Sequence, residues 1–169
     1  MKIILSRKGF DGTSGGYPSP ILHDGRMISL PIPQDEDKIK YSDLFVEKGI
    51  TYLDVMNEIG IKKYKEKPNC HLDPDLIKDI IKRENGWKGI FGQSGSAAGH
   101  LLHPYQKKEN RVKEDDIFLF FGLFQKYDIN FNKIDKPFHT IWGYLQVDKV
   151  VDLSKKELKI NVPEWAKYH

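Results

Sequence analysis

The stretch from Gly12 to Pro33 limits the fold of this chain more than any other. It holds four of the nine prolines and four of the fourteen glycines. Because proline lacks a backbone N–H donor and its ring clashes with the preceding helical turn, the stretch cannot form a helix. Long ordered loops are uncommon in small domains and tend to carry function. We therefore expect a loop-rich N-terminal part, in which residues 26–30 could form a short strand.

The size and composition fit one globular domain that spans residues 1–169. A hydrophobic content of 39% and an aromatic content of 12% are enough for a packed core, which excludes general disorder. No apolar run approaches the roughly 20 residues that a membrane span needs, and charge returns too early at the N-terminus for a signal peptide. With Cys70 as the single cysteine, no internal disulfide can form. We expect a cytoplasmic protein without a membrane partner.

The charge balance argues against a long nucleic-acid footprint. Lysine and arginine outnumber aspartate and glutamate by only 27 to 24, which gives a net charge of +3. The first 85 residues hold 14 basic and 14 acidic groups, so the excess lies in the second half. Proteins that track a nucleic-acid backbone usually carry a stronger basic excess. A pocket for one nucleotide or one flipped base fits this balance better than a groove.

The hydrophobic patterns predict an α+β fold, with strands dominating the last third. Buried strands are expected at 3–5 and 117–121, and a further strand, bent at Gly143, at 140–151. A helix is expected from Thr51 to Ile59, because Thr51 and Asp54 have the spacing of a capping box. A second helix is expected to begin at Asp73 and Pro74 and to end at 85–86. The small residues of 94–102 predict a short helix or a turn.

The first candidate site follows the first strand. Arg7 and Lys8 could clamp a phosphate or a carboxylate, and Asp11 could fix them or act as a general base. Gly9 and Gly12 would let the backbone approach a ligand closely. A charged loop with an internal salt bridge is the alternative.

A second candidate combines His71 with Asp73 and Asp75, residue types that bind metals or exchange protons. Helix capping by Asp73 accounts for one carboxylate without any function. The single cysteine beside His71 adds no second ligand pair. We therefore expect neither a metal nor a cofactor.

A third candidate is the glycine-rich segment from Trp87 to His100. It lacks the endings of a phosphate loop and of a nucleophile elbow. Gln93 could read a base edge through its carboxamide, and His100 follows seven residues later. A tight packing turn is an equally good interpretation.

Aromatic residues are dense between 118 and 144, and most of those at 118–121 must lie in the core. Trp142 and Tyr144 alternate with Ile141 and Gly143, so one pair could face a cleft and stack on a base. His139 would then form a polar lip, although a lone histidine is more often structural.

Several segments together resemble the nucleotide modification associated domain family, third type. They are 1–11, 15–21, 28–33, 71–76, 91–101, 116–122 and 139–147, in order along nearly the whole chain. The resemblance implies a bacterial or phage protein that is linked to modified nucleotides or bases, in a modification or defence context. It carries no catalytic residues across. Family members continue past this point, so the chain is expected to be short at its C-terminus.

A weaker similarity, over about 65 residues, is to the EVE and ASCH branch of the PUA-like barrels. The order found there is followed by Trp87, the segment 97–101 with Ala97 and Ala98, the strand at 115–121 and the segment 142–147. This similarity implies a mixed, barrel-like sheet with a pocket for a flipped or modified base, together with a few short helices.

These observations lead to a hypothesis with two versions and one alternative. In the binding version, Gln93 and His100 read the ligand edge, Trp142 and Tyr144 stack on the base, and Arg7 with Lys8 meets the phosphate. In the enzyme version, Asp11 or His100 performs acid–base chemistry on a nucleotide near Ser19 or His139. The alternative is a protein-interaction module without a ligand pocket.

Overall fold

A computed structural model describes residues 1–101, 110–153 and 162–166 of the chain. Its central feature is a mixed four-stranded sheet built around one long strand, β7 (Ile117–Tyr127). β8 (Lys133–Gln146) pairs antiparallel along one edge of β7. β1 (Ile3–Arg7) and β2 (Ser19–Ile21) pair parallel along the other edge, one after the other. The α+β class and the mixed sheet predicted from the sequence are confirmed.

The remaining elements are short. Two small antiparallel sheets join β3 (Ile32–Pro33) to β6 (Cys70–His71), and β4 (Phe45–Glu47) to β5 (Ile50–Thr51). Within the described ranges, the α-helices are α1 (Tyr52–Glu58) and α2 (Gly95–Leu101). Single 3-10 turns occupy Tyr41–Asp43, Lys63–Lys65, Lys78–Ile80 and Glu164–Ala166.

The chain leaves and rejoins the same edge of β7. β1 ends opposite Phe121, where the Lys8 amide donates to the Phe121 carbonyl oxygen at 2.9 Å, and β2 resumes opposite Phe124. Residues 8–18 therefore form a loop between β1 and β2, two strands that pair with successive parts of the same edge of β7. The glycines within this loop turn the chain, and Gly9 and Gly15 have φ angles of 89° and 85°.

The expected barrel is not confirmed. Within residues 1–101, 110–153 and 162–166 the sheet stays open, because β8 has no second strand partner and no strand pairs with the far edges of β1 and β2. One face of the sheet is also less buried than its apolar sequence predicts. Ile3 and Leu5 of β1 are 64% and 65% exposed, so only the pairing of this strand, not its burial, agrees with the prediction.

The helix expected from Asp73 is wrong. Only Lys78–Ile80 forms a single 3-10 turn there. Asp75 instead exchanges backbone hydrogen bonds with Ile90 at 2.9 Å in both directions, and Asp73 accepts a hydrogen bond from the Gly92 amide at 2.7 Å. Both aspartates therefore bond to the segment 90–92 and do not begin a helix. The strand expected at 26–30 is likewise reduced to one bridge between Met27 and Ile21.

The buried apolar residues form two clusters. The first core contains α1 and the loops around it, with fully buried side chains such as Phe10, Leu30, Tyr41 and Met56. The second core covers one face of the sheet, where Phe118 and Phe120 pack against Phe91, Trp142 and Leu145. In the part of the chain that the structure describes, no helix is long and apolar enough to cross a membrane.

Candidate functional site

A cavity of about 480 Å³ lies where the two cores meet. Tyr52, Leu72 and Ile80 line it from the first core. Leu76, Trp142 and Leu145 line it from the second core. Ligand pockets typically measure about 300–1,000 Å³ and combine apolar walls with a few polar groups. This cavity has that size and that kind of lining, since Ser29, Asp73 and Asp75 add polar groups.

Lys8 does not line the cavity itself, but it forms an ion pair with Asp73, which does. Its Nζ atom lies 3.6 Å from Asp73 Oδ2 and 4.6 Å from the centre of the Phe91 ring. Only 17% of the Lys8 side chain and 3% of the Asp73 side chain are exposed. Burial lowers the pKa of Lys8 below its usual range, and the charge of Asp73 offsets part of that shift. The pair is therefore a partly desolvated charge pair at the edge of an apolar pocket.

Asp75 forms a fixed part of the same wall. Arg83 donates two hydrogen bonds to its carboxylate, at 2.5 and 2.6 Å, and the Trp87 indole N–H donates a third at 3.3 Å. The Arg83 guanidinium also lies over the Trp87 ring, 4.1 Å from its centre. The charge of Asp75 is thus balanced within the protein, and the wall presents little net charge to the cavity.

A β-bulge aims Trp142 into the second core. Phe120 pairs with Gly143 and Phe121 pairs with Ile141, so Trp142 is the extra residue of β8 at this point. Its ring lies 5.9 Å from the ring of Phe120. A Cβ atom on Gly143 would lie 2.8 Å from Leu76 Cδ1, so glycine lets the cavity wall at Leu76 pack against the bulge. The bend predicted at Gly143 therefore corresponds to this bulge.

Gly9 and Ser29 lie side by side in the lining of the cavity, and Tyr52 adds a phenol to it. A Cβ atom on Gly9 would lie 2.8 Å from the Ser29 hydroxyl oxygen, which makes the approach of the two segments dependent on glycine. Burial raises the pKa of the Tyr52 phenol above its ordinary value, so this group stays neutral. Ser19 lies nearby in β2, where its buried hydroxyl oxygen accepts a hydrogen bond from the Leu30 amide at 3.0 Å.

Arg7 and Asp11 pair with each other rather than with Lys8. The Arg7 guanidinium donates to Asp11, and the amides of Thr13 and Ser14 donate to the other carboxylate oxygen, both at 2.7 Å. Desolvation raises the pKa of Asp11, but the hydrogen bonds from Ser14, Arg7 and Thr13 outweigh it and hold the pKa below the usual range. This geometry matches the salt-bridged loop that the sequence left open as the alternative.

His139 lies on the opposite face of the sheet from Trp142. It is exposed, and its ring is 6.2 Å from that of Phe121. Tyr144 is 71% exposed and contributes to the rim of the cavity. Of the two aromatic residues expected to stack on a base, Trp142 packs against the second core and Tyr144 is largely exposed.

Gln93 is half-buried beside Gly92, whose carbonyl oxygen accepts a hydrogen bond from Gln93 Nε2 at 2.7 Å. The Gly92 amide donates a hydrogen bond to Asp73, the partner of Lys8. Gln93 is therefore the next residue in the chain after one that contacts this pair. His100 belongs to α2, so of the two structures expected there, a short helix or a turn, the helix is the one that forms. The side chain of His100 lies outside the described part of the structure.

Sequence reasoning placed Lys8 and Trp142 near a site but missed the wall that joins them. The sequence places Asp73 and Asp75 in a candidate metal or proton-exchange site with His71, or in a helix cap, but not in a cavity wall. Ser29, Tyr52 and Leu76 carry no signal beyond that of ordinary loop or core residues. The pair of carboxylates two residues apart is the feature of the sequence that indicates this wall, although its partners Lys8 and Arg83 are not indicated by it. Within the described residues, no group of three or more His, Cys, Asp or Glu side chains is arranged to hold a metal.

The fold and the cavity define an α+β protein with a small-molecule-sized pocket between two cores. The family model for the nucleotide modification associated domain 3 matches residues 2–169. The chain therefore belongs to this family, as the sequence motifs indicated. Searches of curated proteins and of solved structures find no match.

Proposed function

We propose that this protein recognises a nucleotide or a modified nucleic-acid base in the cavity between its two cores. The base enters the pocket beside Trp142, and the phosphate is held near Lys8. Membership of a family associated with nucleotide modification supports a ligand of this class. The observation that carries the proposal is that Asp73 and Trp142 line the same cavity and that Lys8 forms an ion pair with Asp73.

The lining of the cavity favours an uncharged planar group inside it. Met27, Pro31 and Ile77 are apolar, and the charges of Asp73 and Asp75 face Lys8 and Arg83. A nucleobase has two apolar ring faces and polar edges, so it fits such a pocket, whereas a phosphate inside it would have to lose its hydration. The phosphate is better placed at the edge, where 17% of the Lys8 side chain is exposed.

The partial burial of Lys8 strengthens its effect on an anion. A charge in a region of low dielectric interacts more strongly with an opposite charge than one in water. A phosphate near Lys8 Nζ would add a second anion to the one at Asp73 and favour the protonated lysine. Gln93 is proposed to contact the ligand from the neighbouring segment, with His100 following in α2.

Recognition is favoured over acid–base catalysis by Asp11. Its carboxylate already accepts hydrogen bonds from Arg7, Thr13 and Ser14. A carboxylate whose pKa is lowered is a weaker base, so it is poorly suited to take a proton at neutral pH. The proposed setting is the cytoplasm, in a bacterial or phage modification or defence context.

The role of Lys8 is tested by isothermal titration calorimetry with nucleoside 5′-monophosphates and the Lys8→Gln variant. Glutamine removes the charge but keeps a donor for Asp73. We expect the dissociation constant to rise about 10- to 100-fold, as for the loss of a charge-assisted hydrogen bond. Mass spectrometry of the same mixtures shows whether any nucleotide is converted, which would support the enzyme version.

The matched control is Lys88→Gln. Lys88 is 73% exposed and pairs with Asp148 on the surface, so its loss should leave affinity unchanged. Equal affinity of Lys8→Gln and the unaltered protein would contradict the proposal. An equal loss in both lysine variants would contradict it as well, because the effect would then be general electrostatics.

A further inference from the structure

One face of the four-stranded sheet is apolar and largely open to solvent in the described part of the chain. Along β1 and β7, side chains alternate between the two faces, and those of Ile4, Phe118 and Phe120 pack in the second core. The side chains between them point to the opposite face, which we call the outer face. Its main apolar side chains are Ile3, Leu5, Leu119, Phe121, Leu123 and Ile141.

The outer face has the composition of a buried face. The run 3–5 in β1 and the run 117–121 in β7 are apolar throughout, and the two strands are parallel. Such unbroken runs are typical of strands that are buried on both faces, whereas a strand with one solvated face alternates apolar and polar residues. Ile3 and Leu5 are nevertheless 64% and 65% exposed. This composition indicates that another surface covers the outer face.

The chain leaves its described part on the other side of the sheet. Leu101 and Val112 lie close to the two ends of the undescribed residues 102–109, and both pack against the second core. Val150, shortly before residues 154–161, packs there as well. These positions favour a cover of the outer face that comes from another molecule.

We propose that two copies of this chain pack their outer faces against each other in a twofold symmetric dimer. A twofold contact brings the same patch of both copies together, so the patch must be complementary to itself. An apolar face meets this condition. Arg7 is the charged side chain that β1 directs to this face, and Asp11 of the same chain already balances it. Two copies therefore bring no unbalanced arginine charges together.

The size of the outer face fits such a dimer. Ile141 is 52% exposed, and the β7 side chains between it and Leu5 are half-buried. With the polar rim of Arg7 and His139, the outer face presents on the order of 800 Å² per copy, about the area that each partner contributes to a standard interface. An apolar patch of several hundred Å² is also larger than most monomeric proteins expose. Face-to-face packing of two sheets, about 10 Å apart, would bury it.

The test is sedimentation equilibrium of the full chain between about 1 and 500 µM. The unaltered protein should approach twice the chain mass of 19.6 kDa. Leu5→Glu and Ile141→Glu place a carboxylate in the contact from two strands on either side of β7. Because an unpaired charge is costly to bury, each should raise the dissociation constant of the dimer at least about 100-fold.

The matched control is Ile129→Glu. Ile129 is 68% exposed in the turn between β7 and β8, outside the outer face, so this variant should dimerise like the unaltered protein. Since the three replaced side chains are largely exposed in one copy, all three variants should stay folded, which thermal unfolding of the dilute proteins checks.

A second measurement does not depend on variants. In an equal mixture of ¹³C-labelled and unlabelled protein, nuclear Overhauser effects filtered for contacts between the copies should appear at the methyl groups of Leu5 and Ile141. Their appearance in the turn at Ile129 instead would overturn the proposal.

The other outcomes that overturn the proposal are equally specific. They are a monomer at every concentration, or a dimer that withstands either Leu5→Glu or Ile141→Glu. Dissociation by Leu5→Glu alone would place the contact at the free edge of β1 rather than on the outer face. Since the cavity lies on the other side of the sheet, none of these outcomes bears on the proposed nucleotide binding.

Discussion

Asp73 and Asp75 stand two residues apart and are held by different partners. Asp73 meets Lys8, which is 65 positions earlier in the chain, and Asp75 meets Arg83. Local sequence predicts capping for an aspartate before a proline, and that prediction fails because these tertiary partners compete for the carboxylates. The candidate residues Lys8 and Trp142 could be selected from residue type alone. The ion pair with Asp73 that brings Lys8 to the cavity joins distant parts of the chain, so no short window of sequence contains it.

Arg83→Ala should destabilise the fold by about 3–5 kcal/mol, because it leaves the buried carboxylate of Asp75 without its cation. Only 11% of the Arg83 side chain and 3% of the Asp75 side chain are exposed. The measurement is urea unfolding at equilibrium. Arg26→Ala is the matched control: Arg26 pairs with Asp24 but is 40% exposed, so its loss should cost less than about 1 kcal/mol. Equal losses of unfolding free energy in the two variants would contradict a larger contribution from the buried Arg83–Asp75 pair.

At the scale of elements, the sequence predicts most reliably those that are stabilised by their own neighbours. The helix α1 begins after Thr51, whose hydroxyl oxygen accepts a hydrogen bond from the Asp54 amide at 3.2 Å, as the capping-box spacing predicts. The apolar run at 117–121 lies within β7 as expected, although the strand extends to Tyr127. The segment from Asp73 has equally good helix signals, but its backbone pairs with Ile90 instead.

Thr51→Ala should destabilise the protein by about 1 kcal/mol, the usual cost of losing an N-cap side chain. The loss is measured as the change in the free energy of unfolding in urea. Thr13→Ala provides the comparison, because the backbone amide of Thr13 binds Asp11 and its exposed side chain is not used for this contact. A change below about 0.3 kcal/mol in Thr51→Ala would show that tertiary packing alone fixes the start of α1.

At the scale of the whole molecule, the cavity exists because two cores meet without merging. The first core contains α1 and the loops of the N-terminal half, and the second core covers one face of the sheet. The sequence contains enough apolar residues for both cores, but it does not indicate which residue belongs to which core. Leu72 and Leu76, for example, are the same residue type four positions apart, yet they belong to different cores. A closed barrel would require the edge strands of the sheet to pair with each other, and short sequence motifs do not specify such pairing.

The most direct test of the central claim is a crystal structure of the protein with a bound nucleoside 5′-monophosphate. We predict electron density for the base in the cavity beside Trp142, with the phosphate within hydrogen-bonding distance of Lys8 Nζ. Density for the nucleotide on the opposite face of the sheet, near Arg7 and His139, or a cavity closed by its own side chains, would contradict the account.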